Sequence, residues 1–203
     1  MRFHEFLKKL SGKKYYVFSF EDMCVFFPEE SRSNLRQYLS RWKKKGWIGS
    51  LRKGLYELTY PERLNVPDFF MANKIYSPSY ISLETALSYY SILPEVSMAV
   101  ISVTPKATRR FKNTHGLFIY RTIRPEAFRG YGLEKHNGFD ILIAEPEKAL
   151  VDFLYFKTLH GGKFDRDAER LDNKRLAHLN KRKLDSYARM VHLNLKGVLY
   201  AKR

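Results

Sequence analysis

Near the start of the chain, three stretches carry apolar residues at helical spacing, three or four positions apart. The first covers residues 2–10. The second begins at Ser19, and Asp22 follows it at the position typical of a capping box. The third begins at Ser31, and Gly46 is the expected stop of that helix. The pattern therefore predicts three short helices before residue 47.

The third predicted helix has one narrow apolar stripe and a long polar face. Leu35, Tyr38, Leu39 and Trp42 form the stripe. No carboxylate occurs between residues 31 and 54, whereas a helix built only for solubility usually mixes charges of both signs. The polar face carries hydroxyl, amide and guanidinium groups, which can read base edges or hold phosphates. The DNA-contacting residues expected on this helix are Arg32, Ser33, Asn34, Arg36, Gln37, Ser40, Arg41 and Lys44.

Two short β stretches follow this helix, at residues 47–48 and 55–58, with the glycine-bounded turn GSLRKG between them. This order of helices, turn and hairpin describes a winged helix-turn-helix, whose third helix enters the major groove while the hairpin lies against the DNA backbone or in the adjacent minor groove. We therefore predict a DNA-binding domain over residues 1–62, with Arg52 and Lys53 holding phosphates. The alternative is a small helical domain whose basic face has no ligand.

Residues 60–70 contain two prolines and lack periodicity, so we place a linker there and predict a second domain over residues 63–203. A helix capped by Ser82 and a later helix starting near Pro146 frame β-branched stretches typical of buried strands. These predicted strands cover residues 98–104, 117–123 and 139–144. The expected fold class is α+β, a winged helix-turn-helix followed by a mixed α/β domain.

The net charge of +16 favours a polyanionic partner, either nucleic acid or an anionic membrane surface. No apolar run approaches the 18 residues that a membrane-spanning helix needs, so we expect no membrane insertion. The first residues alternate charged and apolar side chains too often for a signal peptide. The single Cys24 excludes an intramolecular disulfide. The cytoplasm is the expected location.

Motifs for catalysis are missing from the chain: it has no phosphate-binding loop, no dinucleotide fingerprint and no zinc-protease or hydrolase signature. Its six histidines lack ligand spacing, so we expect no metal, no cofactor and no enzymatic activity. A metal-dependent nuclease is the alternative, built on Asp140, Glu145, Glu147 and Lys148. Its acid–any–lysine spacing fails because the residue two before Lys148 is a proline.

A second basic segment, TPKATRRFKNTHG, reads as a loop with four cations and no acid. Such a loop could grip phosphate or an acidic partner surface. Its cations are Lys106, Arg109, Arg110 and Lys112.

Taken together, several segments of the chain resemble the AbiEi family of antitoxins and related bacterial transcriptional regulators. The resemblance covers about residues 1–190, including the amino-terminal KKGWI and RKGLYEL motifs. One departure is Tyr89–Ser91, where the family pattern has a glycine before an Ile-Leu-Pro turn. The central segments that carry the resemblance are Ser82–Glu95, Thr104–Lys106, Thr108–Lys112, Gly116–Tyr120 and Ala144–Asp152.

The resemblance implies an antitoxin of a type IV toxin–antitoxin system, found in phage-defence loci and linked to abortive infection. Its first domain would bind double-stranded DNA at inverted repeats in its own promoter and repress transcription. Its second domain would counter a nucleotidyltransferase-like toxin without needing a stable complex with it. The alternatives are an antitoxin that sequesters its toxin by direct binding, and a DNA-binding regulator without a toxin.

Overall fold

The computed structural model describes residues 2–12, 15–60, 66–162, 164–165 and 168–195. Within these ranges the architecture is α+β, with eight α-helices and nine β-strands. The chain divides into two compact units, one of residues 1–67 with 113–115 and one of residues 68–112 with 116–203. The predicted domain boundary between residues 62 and 63 lies outside the described residues.

The first unit combines three helices with a small antiparallel sheet. The sheet has the strand order β1-β3-β2, so the amino-terminal strand pairs with the second strand of the hairpin. The elements are α1 (Phe3–Ser11), β1 (Val17–Ser19), α2 (Phe20–Phe26), α3 (Arg32–Lys44), β2 (Ile48–Arg52) and β3 (Leu55–Leu58).

Local chemistry explains where these helices begin and end. Ser19 and Asp22 form the predicted capping box: the Asp22 N–H donates to the Ser19 hydroxyl, and the Ser19 N–H donates to the Asp22 carboxylate. Ser31 caps α3 by accepting a hydrogen bond from the Asn34 N–H at 3.1 Å. Gly46 has φ +70°, the left-handed conformation that ends a helix and that glycine adopts without steric cost. The three predicted helices are confirmed.

Aromatic rings form the core of the first unit. Leu35, Leu39 and Trp42 of α3 are buried, as the stripe predicts. Trp42 is 3% exposed, and its ring lies 5.1 Å from the ring of Phe3 and 4.6 Å from that of Phe6. This packing fixes α1 against α3 and turns the polar face of α3 outward.

The second unit is built on a six-stranded mixed sheet with the strand order β6-β7-β5-β4-β9-β8. The pairs β4–β9 and β5–β7 are parallel, whereas β4–β5 and β8–β9 are antiparallel. The strands are β4 (Tyr80–Ile81), β5 (Ala99–Thr104), β6 (Arg109–Asn113), β7 (Gly116–Thr122), β8 (Tyr131–His136) and β9 (Phe139–Ala144). The helices are α4 (Asp68–Ile75), α5 (Leu83–Tyr89), α6 (Pro146–Thr158), α7 (Asn173–Ala177) and α8 (Lys181–Met190).

Three strands of this sheet differ from the sequence prediction, which did not include the short strand β4. The segment expected to be a basic loop contains β6, an edge strand whose Arg109, Arg110 and Lys112 are exposed. Cations are common on edge strands because they discourage pairing with another chain. The prediction also lacked β8, which forms a hairpin with β9. Asn137 and Gly138, both with positive φ, make its turn.

A buried polar cluster joins β4 to α6 in the second unit. The Asp152 carboxylate accepts hydrogen bonds from the Tyr80 hydroxyl at 3.0 Å and the Ser82 hydroxyl at 2.8 Å, and it forms an ion pair with Lys148. All four side chains are at most 1% exposed. Burial, and then the Asp152 charge, raises the pKa of Tyr80 well above its usual value, so its hydroxyl remains a donor. Ser82 precedes α5 as predicted, but its hydroxyl binds Asp152 instead of capping the helix.

The turn that follows α5 contains a residue in an unfavourable backbone conformation. Ser91 is exposed and has φ +57°, in the left-handed region, which is unfavourable for a residue with a side chain. We expect Ser91→Gly to stabilise the second unit by about 0.5–1 kcal/mol. Glycine removes the steric cost of the left-handed conformation, and the larger conformational entropy of glycine in the unfolded chain offsets part of this gain. Urea unfolding measures the change. Ser88→Gly, inside the same helix, should instead destabilise by about 0.5 kcal/mol.

Candidate nucleic-acid interface

The polar face of α3 is open to solvent. The side chains of four residues on it make no hydrogen bond or ion pair with any part of the chain that the structure describes. They are therefore available to a ligand. These residues are Ser33, Gln37, Ser40 and Lys44.

Two arginines of α3 share one aromatic ring. The guanidinium carbon of Arg32 lies 4.9 Å from the ring centre of Phe20, and that of Arg36 lies 5.1 Å from the same centre. They are four residues apart, so they stand on adjacent turns of one helix face. Stacking on a ring orients a guanidinium while leaving its N–H groups free to donate. The ring therefore holds two cations side by side at the surface.

The Arg32 guanidinium also binds a carboxylate. It donates to the two carboxylate oxygens of Glu21, at 3.1 and 2.6 Å, in a bidentate ion pair. These bonds from Arg32 lower the pKa of Glu21. Although α3 itself contains no acidic residue, Glu21 of α2 therefore neutralises one of its arginines, Arg32. No hydrogen bond or ion pair to Arg36 is found among the described residues.

The turn of the β2–β3 hairpin contacts the backbone of the same residue, Phe20. The backbone N–H of Phe20 donates to the carbonyl of Gly54 at 3.2 Å. Strand β2 runs further than predicted, through Arg52, so the turn itself consists of Lys53 and Gly54. Lys53 is exposed, and the Arg52 guanidinium donates to the Lys53 carbonyl at 3.0 Å. The hairpin turn and the two α3 arginines therefore contact one residue, Phe20.

The remaining predicted contacts on α3 have partners within the unit. The Asn34 side-chain amide donates to Glu30 at 3.4 Å, and the Tyr38 hydroxyl reaches the other oxygen of that carboxylate at 3.4 Å. Arg41 is exposed, with its guanidinium carbon 5.7 Å from the Tyr38 ring centre. These contacts lie toward the opposite side of the helix from the Phe20 ring.

The second basic segment is spread over a strand and the turn before it. Arg109, Arg110 and Lys112 are exposed on β6. Lys106 instead donates to the carbonyl of Ser77 at 2.6 Å. Protection of a sheet edge accounts for the three strand cations without a ligand. This segment is therefore a weaker indication of nucleic-acid binding than α3 is.

The acidic set considered for a nuclease is divided among separate partners. Asp140 pairs with Lys135 at 2.6 Å, Glu145 accepts from Lys183 and Tyr187, and Glu147 accepts from the Asn180 N–H. Lys148 is buried against Asp152. Among the described residues, no group of three or more histidine, cysteine or acidic side chains could hold a metal ion.

Sequence reasoning missed Phe20 and Glu21, because no local signal marks them. They lie in the first turn of α2, 11 or more positions before the arginines that they contact, and only the packing of α2 against α3 brings them together.

Neither a protein-family model nor a curated protein sequence matches the chain with significant similarity. Within the described ranges, no helix combines the length and apolar character needed to cross a membrane.

Proposed function

We propose that the protein is a DNA-binding transcriptional repressor whose first unit is a winged helix-turn-helix. The observation that carries this proposal is the cationic group around Phe20. Two guanidinium groups of α3 pack on the Phe20 ring, and the basic turn of the hairpin is hydrogen-bonded to the Phe20 backbone. We name this group the Phe20 clamp: Arg32, Arg36, Arg52 and Lys53 around Phe20.

The clamp and the open face of α3 have different chemistry, which suits two tasks in a DNA complex. Guanidinium and ammonium groups bind phosphates, and phosphate contacts set orientation and affinity without reading sequence. The unpaired amide of Gln37 and hydroxyls of Ser33 and Ser40 suit base edges in the major groove. We place α3 in that groove, with the clamp on the flanking backbone.

The antitoxin part of the proposal has a different basis. It is supported by the resemblance to AbiEi antitoxins, and no feature of the second unit described above bears on it. In this proposal the protein represses its own promoter at inverted repeats and counters a nucleotidyltransferase-like toxin. Co-expression with the product of the adjacent reading frame tests it: growth inhibition that this protein relieves supports it, and a neighbour without toxicity counts against it.

Arg36→Ala and Gln37→Ala should separate the two tasks. We expect Arg36→Ala to weaken binding to specific and random duplexes alike and to reduce the slope of log K against log salt by about 0.9, because one phosphate contact is lost. Gln37→Ala should leave random binding nearly unchanged and cost about 1–3 kcal/mol at one base pair of the specific site. Fluorescence anisotropy across a salt series, with duplexes from the protein's own promoter, measures both.

Lys8→Ala is the matched control, because it removes one exposed cation from α1, away from the predicted interface. It should change both affinities much less than Arg36→Ala. Equal losses for Arg36→Ala and Gln37→Ala on both duplexes would contradict the placement of α3 in the groove. Footprinting of the wild-type protein on its own promoter tests the repressor assignment directly.

A further inference from the structure

The bidentate ion pair between Glu21 and Arg32 bears on how tightly the protein would bind DNA. Glu21 offers two oxygens to the fork of the Arg32 guanidinium, at 2.6 and 3.1 Å. A DNA phosphate binds an arginine in the same way, through two oxygens to two N–H groups. Glu21 therefore occupies the position on Arg32 that a phosphate would take.

We propose that Glu21 is a built-in competitor for the DNA backbone, which occupies Arg32 in the free protein and must be displaced before a phosphate can bind there. This inference rests on the proposed DNA-binding function. It gives Glu21 a role in setting affinity that no motif in the sequence indicates.

The exposure of the pair makes such an exchange possible. The side chains of Arg32 and Glu21 are 54% and 70% exposed, so the ion pair is held in water. Exposed pairs are weak, because solvent and salt screen the attraction and two long side chains lose freedom. A phosphate on the duplex, which releases a condensed counterion when neutralised, can therefore replace the carboxylate.

Phe20 keeps Arg32 in place during the exchange. Its ring contacts the Arg32 guanidinium independently of Glu21, and it holds Arg36 in the same manner. Removal of the carboxylate charge should thus leave a positioned guanidinium that is free to bind phosphate. Among the described residues, Glu21 forms its ion pair with Arg32, and it acts on Arg36 through a weaker charge interaction without an ion pair.

Glu29 provides a matched control. It is an exposed carboxylate in the turn between α2 and α3, without a hydrogen bond or ion pair among the described residues. Glu29→Gln and Glu21→Gln raise the net charge of the protein by the same amount. A difference between them therefore reports the contact with Arg32 and not the overall field.

Affinity for a random-sequence duplex and a promoter duplex, measured by anisotropy over a salt series, tests the proposal. We expect Glu21→Gln to bind both duplexes about fivefold more tightly near 0.1 M salt, with a salt slope close to that of the wild type, because Arg32 contacts a phosphate in both complexes once Glu21 is displaced. Glu29→Gln should stay within about twofold of the wild type, because it acts only through screened long-range charge. Arg32→Ala in the Glu21→Gln protein should abolish the gain.

Three results would overturn the proposal. Glu21→Gln could match Glu29→Gln, which would leave only the general charge effect. It could bind more weakly than the wild type, which would make Glu21 a support for Arg32 instead of a competitor. Finally, wild-type protein that binds neither duplex in a salt-dependent manner would remove the proposed function and this inference with it. In the first two cases the wild type still binds DNA, so the proposed function stands.

Discussion

Asp152→Ala should destabilise the second unit by about 3–5 kcal/mol, because it leaves the Lys148 ammonium buried without its counter-charge. The substitution also removes the acceptor for the hydroxyls of Tyr80 and Ser82, which are fully buried and have few alternatives. The lost contacts join β4 to α6, so we expect the whole second unit to unfold cooperatively and not only to fray locally. Urea unfolding followed by far-UV circular dichroism measures the change.

Asp140→Ala is the matched control for that experiment. Asp140 also pairs with a lysine in the second unit, Lys135, but these side chains are 49% and 73% exposed. Its loss should cost at most about 1 kcal/mol. Similar costs for the two aspartates would show that the buried cluster does not hold α6 to the sheet. Replacement of both charges, as Lys148→Met with Asp152→Leu, should recover part of the stability, because no buried charge then remains unpaired.

Trp42→Ala should destabilise the first unit by about 3–5 kcal/mol. The indole fills the space between α1 and α3, where it contacts the rings of Phe3 and Phe6 and stacks on Tyr38 with ring centres 5.7 Å apart. Alanine leaves a cavity that several aromatic rings cannot close without moving. A loss of this size is comparable to the whole stability of a unit of about 70 residues.

Thermal unfolding provides the measurement, with the fluorescence of the remaining Trp47 as the probe. Val25→Ala is the control, because Val25 is apolar but 76% exposed on α2, and its loss should stay within about 0.5 kcal/mol. A small effect of Trp42→Ala would mean that the aromatic cluster is not the core of this unit. Under the proposed function, Trp42→Ala should abolish DNA binding through unfolding, whereas Arg36→Ala should remove one phosphate contact and keep the fold.

The parts of this protein that the sequence predicts are those that local chemistry determines. Ser19 and Asp22 form a capping box because they are three residues apart, and the stripe from Leu35 to Trp42 is buried because its spacing fits one helix face. The Asn137-Gly138 turn belongs to the same class. An Asn-Gly pair between short alternating stretches is a strong hairpin signal, and its use would have predicted β8.

Other features depend on packing between distant segments, and no spacing in the chain encodes them. Arg36 could be recognised as an exposed cation, but its neighbour Phe20 comes from a different helix. The strand β6 is equally hidden, because the cations of Arg109–Lys112 suit an edge strand and a loop alike. The hydroxyl of Ser82 is a further case, since its bond to Asp152 spans 70 positions.

The hydrogen bond between Phe20 and Gly54 has a consequence for how such a protein could change its target. It joins the hairpin turn to α2, so this part of the clamp does not depend on the side chains of Gln37 and Ser40. The exposed side chains of Gln37 and Ser40 make no hydrogen bond or ion pair with the residues that the structure describes, and surface substitutions of this kind usually alter stability by less than about 0.5 kcal/mol. In the proposed complex, evolution could therefore exchange the base-reading side chains freely. One or two substitutions could then change the operator sequence that the protein recognises, while its contacts with the DNA backbone stay the same.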